Sequence, residues 1–197
     1  AKEKTDITVI DRDVVMPENL NNQVYTEEDL GTPKAYALKK HYDIKPLAVE
    51  LSNSNAELLN ADLVLDCVDN LATRRIINNH CIKNNIPWVH SSAIKDNYEV
   101  MPVIKNGFGA IFHGKSDGLS CEEAGLTPEA ATKAALLQYE FGMRILKGQK
   151  VEQELIRGSI SGPQSRFKVL QRTISEEIEE NPPIKRSEER RVGKECA

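Results

Sequence analysis

The chain has 197 residues, 40% hydrophobic and 28% charged, with a formal net charge of -4, an ordinary globular composition with room for one cored domain. The acidic balance excludes a broad basic face for nucleic acid, and no run of roughly 18 apolar residues or signal-type leader marks a membrane segment. Cys67, Cys81, Cys121 and Cys196 are far apart with no CxxC pair, so neither a disulfide framework nor a zinc knuckle is indicated, and a reducing, cytoplasmic setting fits best.

In chain order, Ile7 to Ile10 reads as a buried strand closed by Asp11, Arg12 and Asp13. Thr32 can cap a helix with Pro33 in its first turn, which puts Ala35, Leu38 and Tyr42 on one face before Pro46 ends the element. Leu63 to Leu65 is a second buried strand, ended by Asp66. From Asn70 to Asn84, Ile76, Ile77, His80 and Cys81 form an inward helical stripe, and Pro87 to Ser91 supplies the next strand. This alternation predicts an α/β fold, a mostly parallel sheet with helices on both faces. Asn106 and Gly107 then separate Val100–Ile104 from Phe108–Phe112 as a tight hairpin turn would, and Pro102 suggests an edge position for its strand. Thr127 and Pro128 open a long helix through Leu146, with Ala131, Ala134, Ala135, Phe141 and Ile145 as its apolar stripe and Gly148 as its stop. Lys150 to Arg157 and Arg166 to Gln171 read as two more strands, so the C-terminal portion is expected to be antiparallel. Glu176 to Lys185 is charged, contains proline and should fray. Arg186 to Cys196, RSEERRVGKEC, reads as the in-frame translation of a sequencing-adapter oligonucleotide and should not pack. The expected organisation is one nucleotide-binding unit over 1–148, strands and tail of the same domain over 149–185, and disordered read-through over 186–197.

Acidic residues sit at the carboxyl ends of two strands, Asp11 after ITVI and Asp66 with Asp69 after LVL. Ligands of open parallel sheets bind in the crevice at those ends. A carboxylate after a strand can accept both ribose hydroxyls, and one after a later strand can hold magnesium against a triphosphate. Lys34, near a helix start, can set a point charge on phosphate oxygens. Singly, such an Asp is more often a cap or turn residue, and such a Lys a solvated surface residue; together they suit a nucleotide. His90 reads as a satisfied core histidine with a lesser claim on the pocket, and Cys67 as buried packing.

Two long segments resemble one family. DRDVVMPENLNNQVYTEEDLGTPKA is similar to the stretch of MoeB, ThiF and ubiquitin-activating enzymes that reads as an acidic pair, Asn-Leu-Asn-Arg-Gln and Gly-x-x-Lys-Ala. LVLDCVDNLATRRIINNHCI resembles their Asp-Cys-Thr-Asp-Asn segment with its following Arg and Ile-Asn pair. The resemblance covers Thr8 to Gly148 and implies an N-terminally truncated, Rossmann-like adenylyltransferase of the MoeB/ThiF/HesA type. Its implied reaction is ATP-dependent adenylation of the terminal glycine carboxylate of a ubiquitin-like sulfur-carrier or modifier protein, with magnesium as cofactor, by a homodimer. Carried over residue by residue, Asp11 would bind the ribose, Asn19 and Lys34 the phosphates, and Asp69 the metal. The implied nucleotide-binding set also includes Asp13, Asn22, Gln23, Asp66, Asn70 and Arg74. Lys34 and Asp69 would be catalytic, joined by Cys121 in GLSCEEAGLTPE, which matches a cysteine that forms a thioester or persulfide in some members.

Three departures qualify the resemblance. The family's Arg is Asn22 here, which cannot replace a guanidinium fork. The zinc-binding cysteine pairs are missing, with NGFGAIFHG where the first would fall, so no structural zinc is expected. The glycine-rich turn expected about 20 residues before the ribose carboxylate cannot fit in the ten residues ahead of Asp11, so weak ATP binding by this chain alone is expected. Two other readings stay open: a non-catalytic partner subunit of a heterodimeric activating enzyme, which Asn22 favours, and an NAD-dependent dehydrogenase, which uses an Asp after a strand in the same way.

Overall fold

A computed structural model of the chain describes residues 6–21, 23–105, 107–112 and 125–169. Thr8–Ile10 forms β1, which pairs in parallel with β2, Lys45–Leu47. Lys45 N–H donates to Ile7 O at 2.8 Å and Asp11 N–H to Leu47 O at 3.0 Å, so the ladder bonds flank Pro46 and never call on its missing N–H. Pro46 therefore lies inside a strand, whereas the sequence marks it as a helix stop. The helix it was expected to end, α1, covers only Lys34–Lys39. Its N-cap is Pro33, since Thr32 uses its carbonyl to accept from Val15 N–H at 2.9 Å. Ala35 and Ala37 are the buried residues of α1, and Tyr42 is exposed. The expected burial of Ile7–Ile10 is also only partial, because β1 has a single strand neighbour among the described residues and Ile7 faces solvent.

The second sheet runs β3 (Val64–Leu65), β4 (Trp88–Ile94), β5 (Asn97–Val103), β6 (Glu154–Ser159) and β7 (Gln164–Lys168), in that spatial order. β3 and β4 are parallel, linked by helix α2, Leu71–Lys83, as parallel neighbours require. All later pairs are antiparallel. Strand alternation divides the core between the two faces of this sheet. Trp88, Met101, Val103 and Leu155 pack with Leu71, Ile77 and Cys81 of α2 and with Phe108, while Val89, Val100 and Ile156 pack with Ala134 and Phe141. Helices thus cover both faces, and the molecule is the expected α/β fold with an antiparallel C-terminal portion. The inward stripe of α2 is Leu71, Arg74, Ile77, Asn78 and Cys81, with Ile76 and His80 on its flanks, because Arg74 is drawn inside by a buried partner described below.

The hairpin expected at Asn106–Gly107 does not form. β4 and β5 are themselves the hairpin, turning at Lys95–Asp96 with Lys95 at φ 55° and Ile94 opposite Asn97. Residues Phe108–Phe112 instead make a short helix, α3, and Phe108 stacks 5.0 Å from Trp88. β5 already has a neighbour on each side, so the next apolar segment covers the sheet rather than extending it. The edge position expected from Pro102 is not found, since β5 lies between β4 and β6; its proline is accommodated because the β5–β6 ladder stops at Val100–Ile156, which leaves Pro102 paired only with β4.

Helix α4, Pro128–Leu146, has the expected bounds. Thr127 Oγ1 accepts from Ala130 N–H, and Gly148, at φ 65°, ends the helix with its N–H on Ile145 O while Gln149 N–H reaches Arg144 O. Its buried face is Ala130, Ala134, Gln138, Phe141 and Gly142, and Ala135 points outward. The segments 176–185 and 186–197 lie outside the described residues.

Candidate functional site

The C-terminal end of β1 gathers three of the expected residues. Asp11 Oδ1 accepts the Asp13 N–H at 2.8 Å, the local turn that an Asp after a strand favours. Lys34 Nζ lies 3.3 Å from Asp13 Oδ2, and Lys34 N–H donates to Asp13 O at 2.8 Å. Burial raises the Asp11 pKa above its ordinary value, against the pull of the Asp13 N–H. Burial, then the charges of Asp11, Asp29 and Asp13, push the Tyr25 phenol up to about 12. The end of β1 is therefore a half-buried anionic corner with one lysine tethered across it. Beyond it, in the 3-10 turn Pro17–Asn21, Asn19 Oδ1 accepts from Met16 N–H at 2.9 Å, and Gln23 is exposed. Asn22 lies outside the described residues.

The turn from β3 into α2 carries the rest. Asp69 is exposed there, and its Oδ1 accepts from Asn70 Nδ2 at 3.1 Å; Asn70 caps α2 through Thr73 N–H at 2.8 Å. Asp66 is fully buried, and its carboxylate is engaged from inside the protein. Oδ2 receives Arg74 Nε at 2.9 Å and faces His90 Nδ1 at 2.8 Å, while Oδ1 receives Val68 N–H at 3.0 Å. The Arg74 guanidinium also donates to Val68 O and Ser91 O. The expected nucleotide-binding residues thus fall into two groups on strands of different sheets, Asp11, Asp13 and Lys34 in one, Asp66, Asp69, Asn70 and Arg74 in the other.

The second group extends further than the sequence motifs indicate. His90, on β4, is wholly buried edge-on to the rings of Trp88 and Phe108, at 6.2 and 5.6 Å, and its Nε2 lies 3.6 Å from Glu99 Oε1 on β5. Burial opposes its charge, but the bonds to Asp66 and Glu99 prevail and raise its pKa. Burial likewise disfavours the Glu99 carboxylate, yet His90 and Arg157, the latter at 2.7 Å, hold it down at about 2. Gln138 of α4 closes the other side, with Nε2 donating to Asp66 O at 2.8 Å and Val89 O at 2.9 Å. The available signal was a polar residue at each inward position of adjacent apolar elements, which spacing alone does not pair. Cys67 is an exposed residue whose Sγ turns toward Gln138 Oε1 at 3.9 Å, and burial of the thiol, with the Asp66 charge, pushes it up to about 11. Its environment disfavours the thiolate. Cys121 lies outside the described residues. No helix among the described residues is long and apolar enough to cross a membrane.

Comparison with known proteins gives these residues a context. The family model described as the ThiF family matches residues 5–177. The chain is 28% identical to the sulfur carrier protein ThiS adenylyltransferase of Bacillus subtilis, over 74% of this chain and 48% of that protein. It is 29% identical to the SAMP-activating enzyme E1 of Haloferax volcanii, over 66% and 51%. A crystal structure of E. coli MccB with ATP aligns at a TM-score of 0.64 and 17% identity, covering 84% of this chain and 57% of that one, which establishes a shared fold. The chain spans about half the length of these two curated relatives.

Proposed function

The chain belongs to the ThiF family, and from that membership we propose that it is the nucleotide-binding part of an ATP-dependent adenylyltransferase acting on the terminal glycine carboxylate of a ubiquitin-like sulfur-carrier or modifier protein. The observation that best supports this is the corner at the end of β1, where Lys34 is tethered to Asp13 beside Asp11. Asp11 offers a half-buried carboxylate to a ribose diol. The Lys34–Asp13 pair involves a half-exposed carboxylate, and such pairs hold only about 0–1 kcal/mol, so Lys34 can turn to a triphosphate at little cost. Asp69, an exposed hard oxygen donor at a strand end, suits magnesium. Magnesium, when bound, offsets charge on the triphosphate oxygens. Asn19 and Gln23, with Asn22, add uncharged donors around the phosphates. Asp66 and Arg74 are too enclosed to touch a nucleotide, at 0% and 7% exposure, and act by shaping the turn that holds Asp69.

In the proposed reaction an oxygen of the carrier's carboxylate bonds to the α-phosphorus of ATP as the bond to pyrophosphate breaks. The protein supplies position and charge, and no protein nucleophile is required. Cys121 is proposed to take up the activated carrier afterwards, its thiol attacking the acyl-adenylate carbonyl to form a thioester as AMP leaves. A persulfide linkage there would require a sulfane-sulfur donor to load the cysteine first. The full protein is proposed to work as a cytoplasmic homodimer without structural zinc.

Exchange of labelled pyrophosphate into ATP, measured on the full protein with a panel of glycine-terminated ubiquitin-like carriers, tests the reading. Exchange should be present and should drop about 100-fold or more in Asp69→Ala. Asn22 favours one rival, a non-catalytic partner subunit. Absence of exchange with every carrier, or exchange indifferent to Asp69→Ala, would decide for that rival, and NADH turnover without exchange for a dehydrogenase.

A further inference from the structure

We propose that His90 is a positioning residue for metal-nucleotide binding, acting through Asp66 and Arg74 to fix the turn that presents Asp69, a role that rests on the adenylyltransferase reading. Residues 66–70 join β3 to α2 and carry Asp69 near their end. Three bonds reach the Asp66 carboxylate from three places: Val68 N–H within the turn, Arg74 Nε on α2 and His90 Nδ1 on β4. Arg74 grips the same turn a second time at Val68 O and ties it to Ser91 O of β4. Ser91 Oγ and Gln138 Nε2 both donate to Asp66 O, at 3.1 and 2.8 Å. The turn is thus fastened at Asp66 and Val68 on one side and by the Asn70 cap on the other, leaving Asp69 as its outward-facing carboxylate.

His90 holds a special place in this arrangement because it is enclosed on every side. It has no solvent exposure, aromatic rings stand beside it, and carboxylates face both of its nitrogens. Arg74 meets the Asp66 carboxylate through one nitrogen, a contact that leaves the group able to pivot. A second donor to the same oxygen, from a ring locked in the core, fixes the pivot and with it the path of the turn. Partners that orient a ligand in this way, without touching metal, are typically worth 10- to 100-fold in metal affinity.

The test uses the full protein with Mn-ATP as probe, titrated by electron paramagnetic resonance of the manganese, beside binding of metal-free ATP. His90→Leu keeps the volume and deletes the donor; His90→Asn keeps a donor near the Nδ1 position. His90→Leu should weaken Mn-ATP binding about 10- to 100-fold while leaving metal-free ATP within about twofold, and His90→Asn should recover most of the loss. Hydrogen exchange at the Val68 amide should quicken in the Leu variant and slow again in the Asn variant. Mn-ATP binding undiminished in His90→Leu, or lost equally in both variants, overturns the role of His90. If the wild-type protein holds Mn-ATP no better than Asp69→Ala does, the adenylyltransferase reading itself fails, and the positioning role goes with it.

Discussion

His90 and Glu99 face each other in the core, and their stabilities depend on pH in opposite senses. The Glu99 carboxyl, held down at about 2, contributes stability that is complete above its ordinary value near 4.5 and fades as pH falls toward 2. The His90 pKa is raised, so its contribution is complete below about 6.5 and disappears as pH climbs through the folded-state value. The groups around the imidazole are Asp66, Arg74 and Glu99, with Arg157 beyond Glu99. The thiols of Cys67 and Cys81, raised to about 11 and 12, add their own loss only above about 9. Urea-unfolding midpoints should therefore peak between about pH 4.5 and 6.5 and decline as pH rises further through the raised His90 value. In His90→Asn the decline above pH 6.5 should vanish; a variant that keeps it would show that another group titrates there. His90 itself was legible as a buried histidine, because it interrupts an apolar strand. Its partners were not, since Asp66, Glu99 and Arg74 are brought to it by three separate elements.

At the scale of elements, α4 was readable to the residue because both of its ends are local chemistry. Thr127 and Pro128 start it, and Gly148 stops it. The stop depends on a left-handed residue with open space where a Cβ would go, so Gly148→Ala should cost about 1 kcal/mol through the backbone alone. Denaturant titration checks this through a lowered midpoint at unchanged m-value; an unaffected midpoint would mean that the helix end is held by other contacts. The Asn106–Gly107 hairpin was misread for the converse reason. A turn-like dipeptide between two apolar runs is a local signal, whereas the β4–β5 pairing that pre-empted it is long-range. β2 was missed because Pro46 carries a strong helix-ending signal, and only the parallel register with β1 reveals that its absent N–H is not needed.

At the scale of the whole molecule, the described residues form two sheets, with β1 paired only to β2 and β3 paired only to β4. β7 forms a further edge, exposed along its full length, and Ile7 and Phe167 stand about half exposed beside these edges. Unpaired strand edges flanked by apolar side chains invite association between copies. The isolated chain should therefore self-associate with rising concentration, as light scattering coupled to size-exclusion chromatography would reveal. Elution as a concentration-independent monomer, together with a single cooperative unfolding transition, would count against that expectation.

Composition, period and spacing by themselves determined the fold class, the bounds of α4, and the acidic positions at the ends of β1 and β3. Each depends on residues close in sequence, or on motif order that survives without coordinates. Only the tertiary structure decided which of those carboxylates face outward. Asp66 and Asp69 are three residues apart on one turn, yet one is enclosed by Arg74 and His90 and the other meets solvent. The reason is that burying a carboxylate requires donors from elements distant in sequence, and no local pattern records where those donors will come to lie.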